Sequence, residues 1–237
     1  MSTTDPTSEA LDGLVNLRDL GGLPAEPGTT REGIVLRSDA PRAGDRDPED
    51  VAWPPRLVLD LRDASELNGT AHPLAQVAEV HQIELLAGIH STEVAHPLPE
   101  LYQLALRNAA DKLVRVFRLV LAAEGPVLVH CAAGKDRTGV VSAMLLSAAG
   151  VRSDAIIADY VRTDRNMFRV LQRLEMAPAL PPDVSEEDVR HLISTPVEAI
   201  EGVLATWAEH EEHAAGWLRA HGVTADEIDR WRRKFRD

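Results

Sequence analysis

The sequence predicts an α/β fold: a central, mostly parallel sheet flanked by helices, with a helical elaboration or lid toward the C-terminus. Three observations predict it. Short apolar runs at 33–38, 56–62 and 127–130 have the length and composition of strands buried on both faces. An amphipathic stretch over 99–123 precedes the last of them and has the length that a crossover to a parallel neighbour needs. Two helix-start signatures follow residue 194.

Length and composition set the bounds. With 237 residues, 44% of them hydrophobic, the chain can bury one continuous core, and a single domain over 1–237 is expected, with 165–200 as a helical lid. No run approaches the roughly 18 apolar residues that span a bilayer, and Met1 to Ala10 is polar rather than signal-like, so a soluble, cytoplasmic product without membrane insertion is expected. Cys131, as the sole cysteine, excludes an intramolecular disulfide and leaves its thiol for chemistry. The nine histidines show no tight ligand spacing, so neither a metal nor another cofactor is expected. A formal charge of −13, from 25 basic and 38 acidic residues, disfavours nucleic acid and anionic membrane surfaces as partners.

Each element has its own reason. Leu11 to Leu23 holds too much Gly and Asp for a long helix and reads as a folded loop. Its Asn16, Arg18 and Asp19 either tie it across a site or serve local turns. Gly33 to Ser38 is a strand bounded by Gly before it and by Asp39 and Pro41 after it. Trp53-Pro54-Pro55 cannot continue a helix, and Arg56 to Arg62 follows as a central strand whose polar residues Asp60, Arg62 and Asp63 lie at its C-terminal end, where open α/β sheets bind ligands. Arg62 and Glu66, four apart, suit an ion pair across one helical turn. Ala78 to Leu86 reads as a further strand, and His90 and His96 sit in the loop after it.

Apolar residues from Leu104 to Leu121 recur at helical spacing, which predicts one long amphipathic helix over 99–123, stopped by Gly125-Pro126. After the Val127 strand and the loop that follows it, Thr138 to Ala149 reads as a buried helix capped by Gly150. Helical pattern continues over 155–170, with Tyr160 as a packing residue. The Pro-rich segment Met176 to Pro182 then precedes Ser185-Glu186-Glu187-Asp188, an approximate helix start. Thr195-Pro196-Val197-Glu198 and Thr224-Ala225-Asp226-Glu227 are capping boxes, and Trp207, Trp217 and Trp231 on the helices they open are expected to pack the bundle onto the sheet.

The stretch from Val127 to Gly139 carries the chemistry. Five residues separate Cys131 from Arg137, and a loop of that length can curl until its amides face an anion, with a sulfur below and a guanidinium beside it. Ala132, Ala133 and Gly134 are small enough to let the backbone approach phosphate oxygens, and the helix that follows adds aligned dipoles. Arg137 supplies a bidentate fork. Thiols in such electropositive loops ionise at roughly 3.5–7.5 rather than about 8.5, which makes a cysteine nucleophilic at neutral pH. Thr138 stands where a hydroxyl can donate to the departing sulfur.

His130-Cys131-Ala132-Ala133-Gly134-Lys135-Asp136-Arg137-Thr138-Gly139 resembles, without a gap, the signature of cysteine-dependent phosphatases. Gly134-Lys135-Asp136-Arg137, Asn16 to Gly22, Arg37-Ser38-Asp39, Asp60-Leu61-Arg62 and Gly216 to Gly222 are similar to its bacterial tyrosine and phosphoinositide branch. The resemblance implies a cysteine-phosphatase fold and hydrolysis of phosphate monoesters, protein phosphotyrosine first, through a cysteinyl phosphate. It implies catalysis by Cys131, Asp136 and Arg137, and phosphate binding by Ala132, Ala133, Gly134, Lys135 and Thr138. In this branch the proton donor stands inside the loop, which points to Asp136 as the acid rather than as a helix cap or a partner of Lys135, with Asp39, Asp60 and Asp63 in reserve. Lys135 either adds charge for a multiply phosphorylated headgroup or is a solvated lysine. The resemblance further implies relatives that accept phosphoinositides, lids built over 165–200, and export without a classical signal peptide. Phosphoserine and phosphothreonine hydrolysis, or phosphate binding without turnover, are the other readings. A nucleotide loop is excluded because Gly134-Lys135 is followed by Asp136 rather than Ser or Thr.

Overall fold

Three buried strands build the centre of the molecule, and two further strands form the edges of their sheet. The computed structural model describes residues 11–67, 69–86, 97–175 and 196–237. In chain order the strands are β1 (Arg18–Asp19), β2 (Val35–Ser38), β3 (Leu57–Asp60), β4 (Glu79–Gln82) and β5 (Val127–His130). Their order across the sheet is β1-β2-β5-β3-β4, with β1 antiparallel and the others parallel. Residues of β2, β3 and β5 are buried throughout, as continuous apolar runs in a parallel sheet require. The register sets Ser38 and Asp60 on either side of His130, so three strands end together at one rim. A ligand site belongs there by the topology of open parallel sheets.

The helices are α1 (Leu98–Asn108), α2 (Ala110–Ala122), α3 (Asp136–Ala148), α4 (Ser153–Arg162), α5 (Met167–Arg173), α6 (Val197–Ala208), α7 (Ala214–Ala220) and α8 (Ala225–Phe235). The long helix expected over 99–123 is two helices, because Ala109 leaves helical geometry at φ −122°, ψ 25°. The break lets each half keep its own partner. Gln103 of α1 donates to Gly202 O of α6 at 2.9 Å, whereas Phe117 of α2 meets Trp231 of α8 with ring centroids 6.1 Å apart. The helix expected over 155–170 is likewise divided, by a 3₁₀ turn over Thr163–Asn166.

α3 is buried along nearly its whole length and is the element against which β5, α4, α7 and α8 are arranged. Gly150 ends it with φ +84°, which only glycine adopts without strain. Trp207, Trp217 and Trp231 are all buried, and Trp231 donates its indole N–H to Leu145 O at 2.9 Å. Thr224 accepts from Glu227 N at 3.2 Å while Glu227 returns to Thr224 N at 2.8 Å, the expected capping box. The corresponding box at Thr195, the helix start at Ser185, His90 and His96 lie outside the described residues. Of the expected lid over 165–200, the ends up to 175 and from 196 belong to α5, α6 and their flanks, whose Phe168, Val170, Ala199 and Ile200 are buried. The rest lies outside the described residues.

Candidate active site

The loop from Cys131 to Lys135 joins β5 to α3, and each of its carbonyls has a donor outside the loop's interior. Ala132 O accepts from Ala40 N at 2.9 Å, and Cys131 O meets His130 Nδ1 at 3.1 Å. Ala133 O and Gly134 O accept from Asn16 Nδ2 at 3.0 and 3.3 Å, and Gly134 O also takes Arg37 Nη2 at 2.8 Å. With the carbonyls held outward, the loop's amide edges are what it has left to present to an anion. Gly134 has φ +69°, and a Cβ there would lie 2.2 Å from Ser38 O, so no other residue fits.

A buried charge cluster lies under this loop. Arg18 Nε and Arg37 Nη1 bind the two carboxylate oxygens of Asp159 at 2.7 and 2.6 Å, and all three side chains are at most 7% exposed. Two guanidiniums against one carboxylate leave a net positive charge there, and burial beside Arg37 lowers the Arg18 pKa to about 10. Although burial alone would raise the Asp159 carboxyl, the two arginines hold it below the ordinary carboxylate range. Asn16 and Arg18 thus tie the N-terminal segment across the site, while Asp19 closes a local turn through Gly21 N at 2.7 Å and also takes Gly33 N, 14 positions on, at 2.6 Å.

Cys131 is 3% exposed at the floor of the loop. Arg137 is held in place by Glu66, which takes both of its terminal nitrogens, Nη2 at 2.8 Å, and by Leu61 O at 3.3 Å. Burial would lower the Arg137 pKa, but the Glu66 bond and the nearby Cys131 sulfur more than offset it, and the guanidinium stays charged. The ion pair expected between Arg62 and Glu66 is therefore replaced. Residues 64–66 form a 3₁₀ turn that aims Glu66 at Arg137, and Arg62 instead grips Asp60 through Nε at 2.9 Å and Nη2 at 2.6 Å.

Asp136 opens α3 and is half-buried, its Oδ1 accepting from Tyr102 OH at 2.8 Å. Tyr102 OH also meets Tyr160 OH at 2.8 Å, with the rings edge to face. Tyr160 thus packs, as expected, and also backs the residue that holds Asp136. Lys135 is 4% exposed and its ammonium lies 3.3 Å from Asp164, so it is not a solvated lysine and does not pair with Asp136. Thr138 is fully buried, and its hydroxyl has no hydrogen-bond partner among the described residues. Of the reserve carboxylates, Asp39 takes Asn16 N at 2.8 Å and Arg173 Nε at 2.8 Å, and Asp60 is held by Arg62. Asp63 lies 3.9 Å from Arg137.

Comparison with known proteins agrees with this geometry. The model of a tyrosine phosphatase family matches residues 9–237. The chain belongs to this tyrosine phosphatase family. Among its curated relatives, the triple specificity protein phosphatase PtpB of Mycobacterium tuberculosis is 29% identical over 154 residues, which cover 61% of this chain and 56% of that protein. A tyrosine-protein phosphatase of Nostoc commune is 32% identical over 139 residues, 54% of this chain and 47% of that one. The matched part of this family member thus spans about half the length of these relatives.

The site of this family member contains residues to which sequence reasoning gave no role or another one. Glu66 binds Arg137, Tyr102 binds Asp136 and His72 meets His130, while Asp159 acts through Arg37, which binds Gly134 O. His72 Nε2 lies 3.0 Å from His130 Nε2, and Asp60, His72 and His130 bring donor atoms within 4.8 Å of one another. Those atoms are already engaged in hydrogen bonds. No helix among the described residues is long and apolar enough to cross a membrane.

Proposed function

We propose that the chain hydrolyses phosphate monoesters, with protein phosphotyrosine as the preferred substrate, through a cysteinyl-phosphate intermediate. The observation that carries this reading is the loop itself, whose carbonyls are bound outward while Cys131 and a charged Arg137 border it. Membership of a tyrosine phosphatase family and the printed names of the relatives support it.

In the first step Cys131 Sγ attacks phosphorus, the P–S bond forms and the bond to the ester oxygen breaks. Asp136 gives its proton to that oxygen, because a tyrosyl oxygen with a conjugate acid near 10 leaves poorly as an anion. Arg137 and the loop amides hold the three equatorial oxygens, as charge on a transferring phosphoryl group requires. Water then attacks phosphorus, giving a proton to the Asp136 carboxylate. As the P–S bond breaks, Thr138 donates to the departing sulfur, which accounts for a buried hydroxyl with no partner among the described residues. The residues that bind phosphate are Ala132, Ala133, Gly134, Lys135 and Thr138. The chemistry requires no metal.

A second reading keeps these steps and widens the substrate to phosphoserine, phosphothreonine or a phosphoinositide. It is favoured by the relative called a triple specificity phosphatase and by a lysine within the loop. Phosphate binding without turnover is disfavoured because Cys131, Asp136 and Arg137 are all present. The test is phosphate release, without added metal, from a phosphotyrosine peptide, a phosphoserine peptide and a soluble phosphoinositide, by wild type and Cys131→Ser. The proposal expects Cys131-dependent release that is fastest from phosphotyrosine. Faster release from the headgroup or phosphoserine supports the second reading, and no release with phosphate still bound overturns both.

A further inference from the structure

We propose that His72, which lies outside the phosphate loop, is a positioning residue that fixes the tautomer of His130 and thereby supports the thiolate of Cys131. The proposal rests on the reading of Cys131 as nucleophile.

The tautomers follow from four contacts in a line. Leu74 N donates to His72 Nδ1 at 3.1 Å, so that nitrogen carries a lone pair. A neutral imidazole has one N–H, which in His72 must then be at Nε2. This N–H faces His130 Nε2 at 3.0 Å, which must accept it. The proton of His130 is therefore on Nδ1, 3.1 Å from Cys131 O, to which it donates. Both rings are neutral at working pH, since burial pushes His130 down to about 4 and also lowers His72. A metal ion between the two Nε2 atoms would require His72 to give up that N–H and the bond from Leu74.

The consequence falls on the sulfur. A donor on Cys131 O draws negative charge away from the nucleophile's own peptide, which favours an anion on the same residue. In the other tautomer of His130 a lone pair would face Cys131 O, and the Nε2–H would meet the N–H of His72. Without His72, no other group among the described residues bonds His130 Nε2 to select the productive form.

The charged groups facing the pair are Asp60 at the end of β3, whose Oδ1 lies 3.9 Å from His130 Nδ1, and Arg62 just beyond it. They are bonded to each other, so their charges largely cancel at the pair. Arg137 faces the sulfur from α3, with Glu66 and Asp63 behind it.

Because Cys131 is the sole cysteine, iodoacetate alkylation followed on the intact protein reads its thiolate without turnover. In His72→Phe, which keeps a ring but has no donor, alkylation near pH 6 should slow by roughly tenfold and converge with wild type by about pH 9, above the ordinary pKa of about 8.5 for a thiol. His72→Gln, with an amide N–H at similar reach, should restore most of the rate. Nitrogen-15 NMR of the wild type should show His72 as the Nε2–H form and His130 as the Nδ1–H form, a measurement that needs no variant. The opposite tautomers, or an alkylation profile of His72→Phe that matches wild type or is slower by one factor at every pH, would overturn the proposal. A wild type that is itself unreactive near pH 6 would instead overturn the reading of Cys131 as an activated nucleophile, and with it any role for His72.

Discussion

Asp136 shows what a single residue owes to its neighbours. Tyr102 OH holds one of its oxygens at 2.8 Å, which leaves the other for the proposed proton transfer, while Asp39 and Asp60 are bound to arginines. Asp136→Asn keeps the shape and loses the proton. It should lower kcat for a phosphotyrosine peptide by about 10²-fold or more, and for nitrophenyl phosphate, whose leaving group needs less help, by much less. Equal activity of variant and wild type on both esters would move the role to Asp63. Cys131, Asp136 and Arg137 could be singled out in the sequence because the proposed chemistry depends on spacing within one turn, and the structure places them along one strand-to-helix loop. Their partners could not. Tyr102 is 34 positions from Asp136, Glu66 is 71 from Arg137 and Asn16 is 117 from Ala133, and nothing local marks such pairs. Histidines scattered along the chain gave no hint that His72 and His130, 58 positions apart, would share a proton.

Elements were legible in proportion to how much their own sequence decides them. β2, β3 and β5 are apolar runs buried on both faces, and each lies within its expected span. α3 runs over Asp136–Ala148 against an expectation of 138–149, because the loop after Cys131 turns helical two residues earlier, at the residue proposed as the acid. The helix expected over 99–123 has an unbroken apolar period, yet it divides at Ala109 because α6 and α8 claim its two halves. Periodicity reports which side of a helix is buried but not how many partners share it. Arg62 and Glu66 illustrate the same limit, since four-residue spacing pairs charges only where the chain is helical, and a 3₁₀ turn redirected both.

For the whole molecule, the sheet's parallel core and single rim followed from the order of strands and helices, whereas its acid response follows only from burial. His130 has an ordinary value of 6.5 and a folded value of about 4, so between these the unfolded chain binds a proton that the folded one does not. Stability is therefore lost as pH falls through that window, by on the order of 3 kcal/mol at its lower end. Asp60, Glu66 and Asp159, all held below the ordinary carboxylate range, add stability that is present above that range and lost as pH falls through their lowered values. Asp39, raised by burial, acts in the opposite direction. Urea unfolding at a series of pH values should give a free energy that declines steadily from neutrality toward about pH 4. A constant value over that range would contradict a buried neutral His130.

Passage of the phosphoryl group through Cys131 is tested most directly by quenching the enzyme within its first turnover of a phosphotyrosine peptide and locating covalent phosphate by mass. The expected result is one phosphoryl group on the peptide containing Cys131, formed before free phosphate appears and absent from Cys131→Ser. Free phosphate released with no phosphocysteine at any time, or label on another residue, would contradict it.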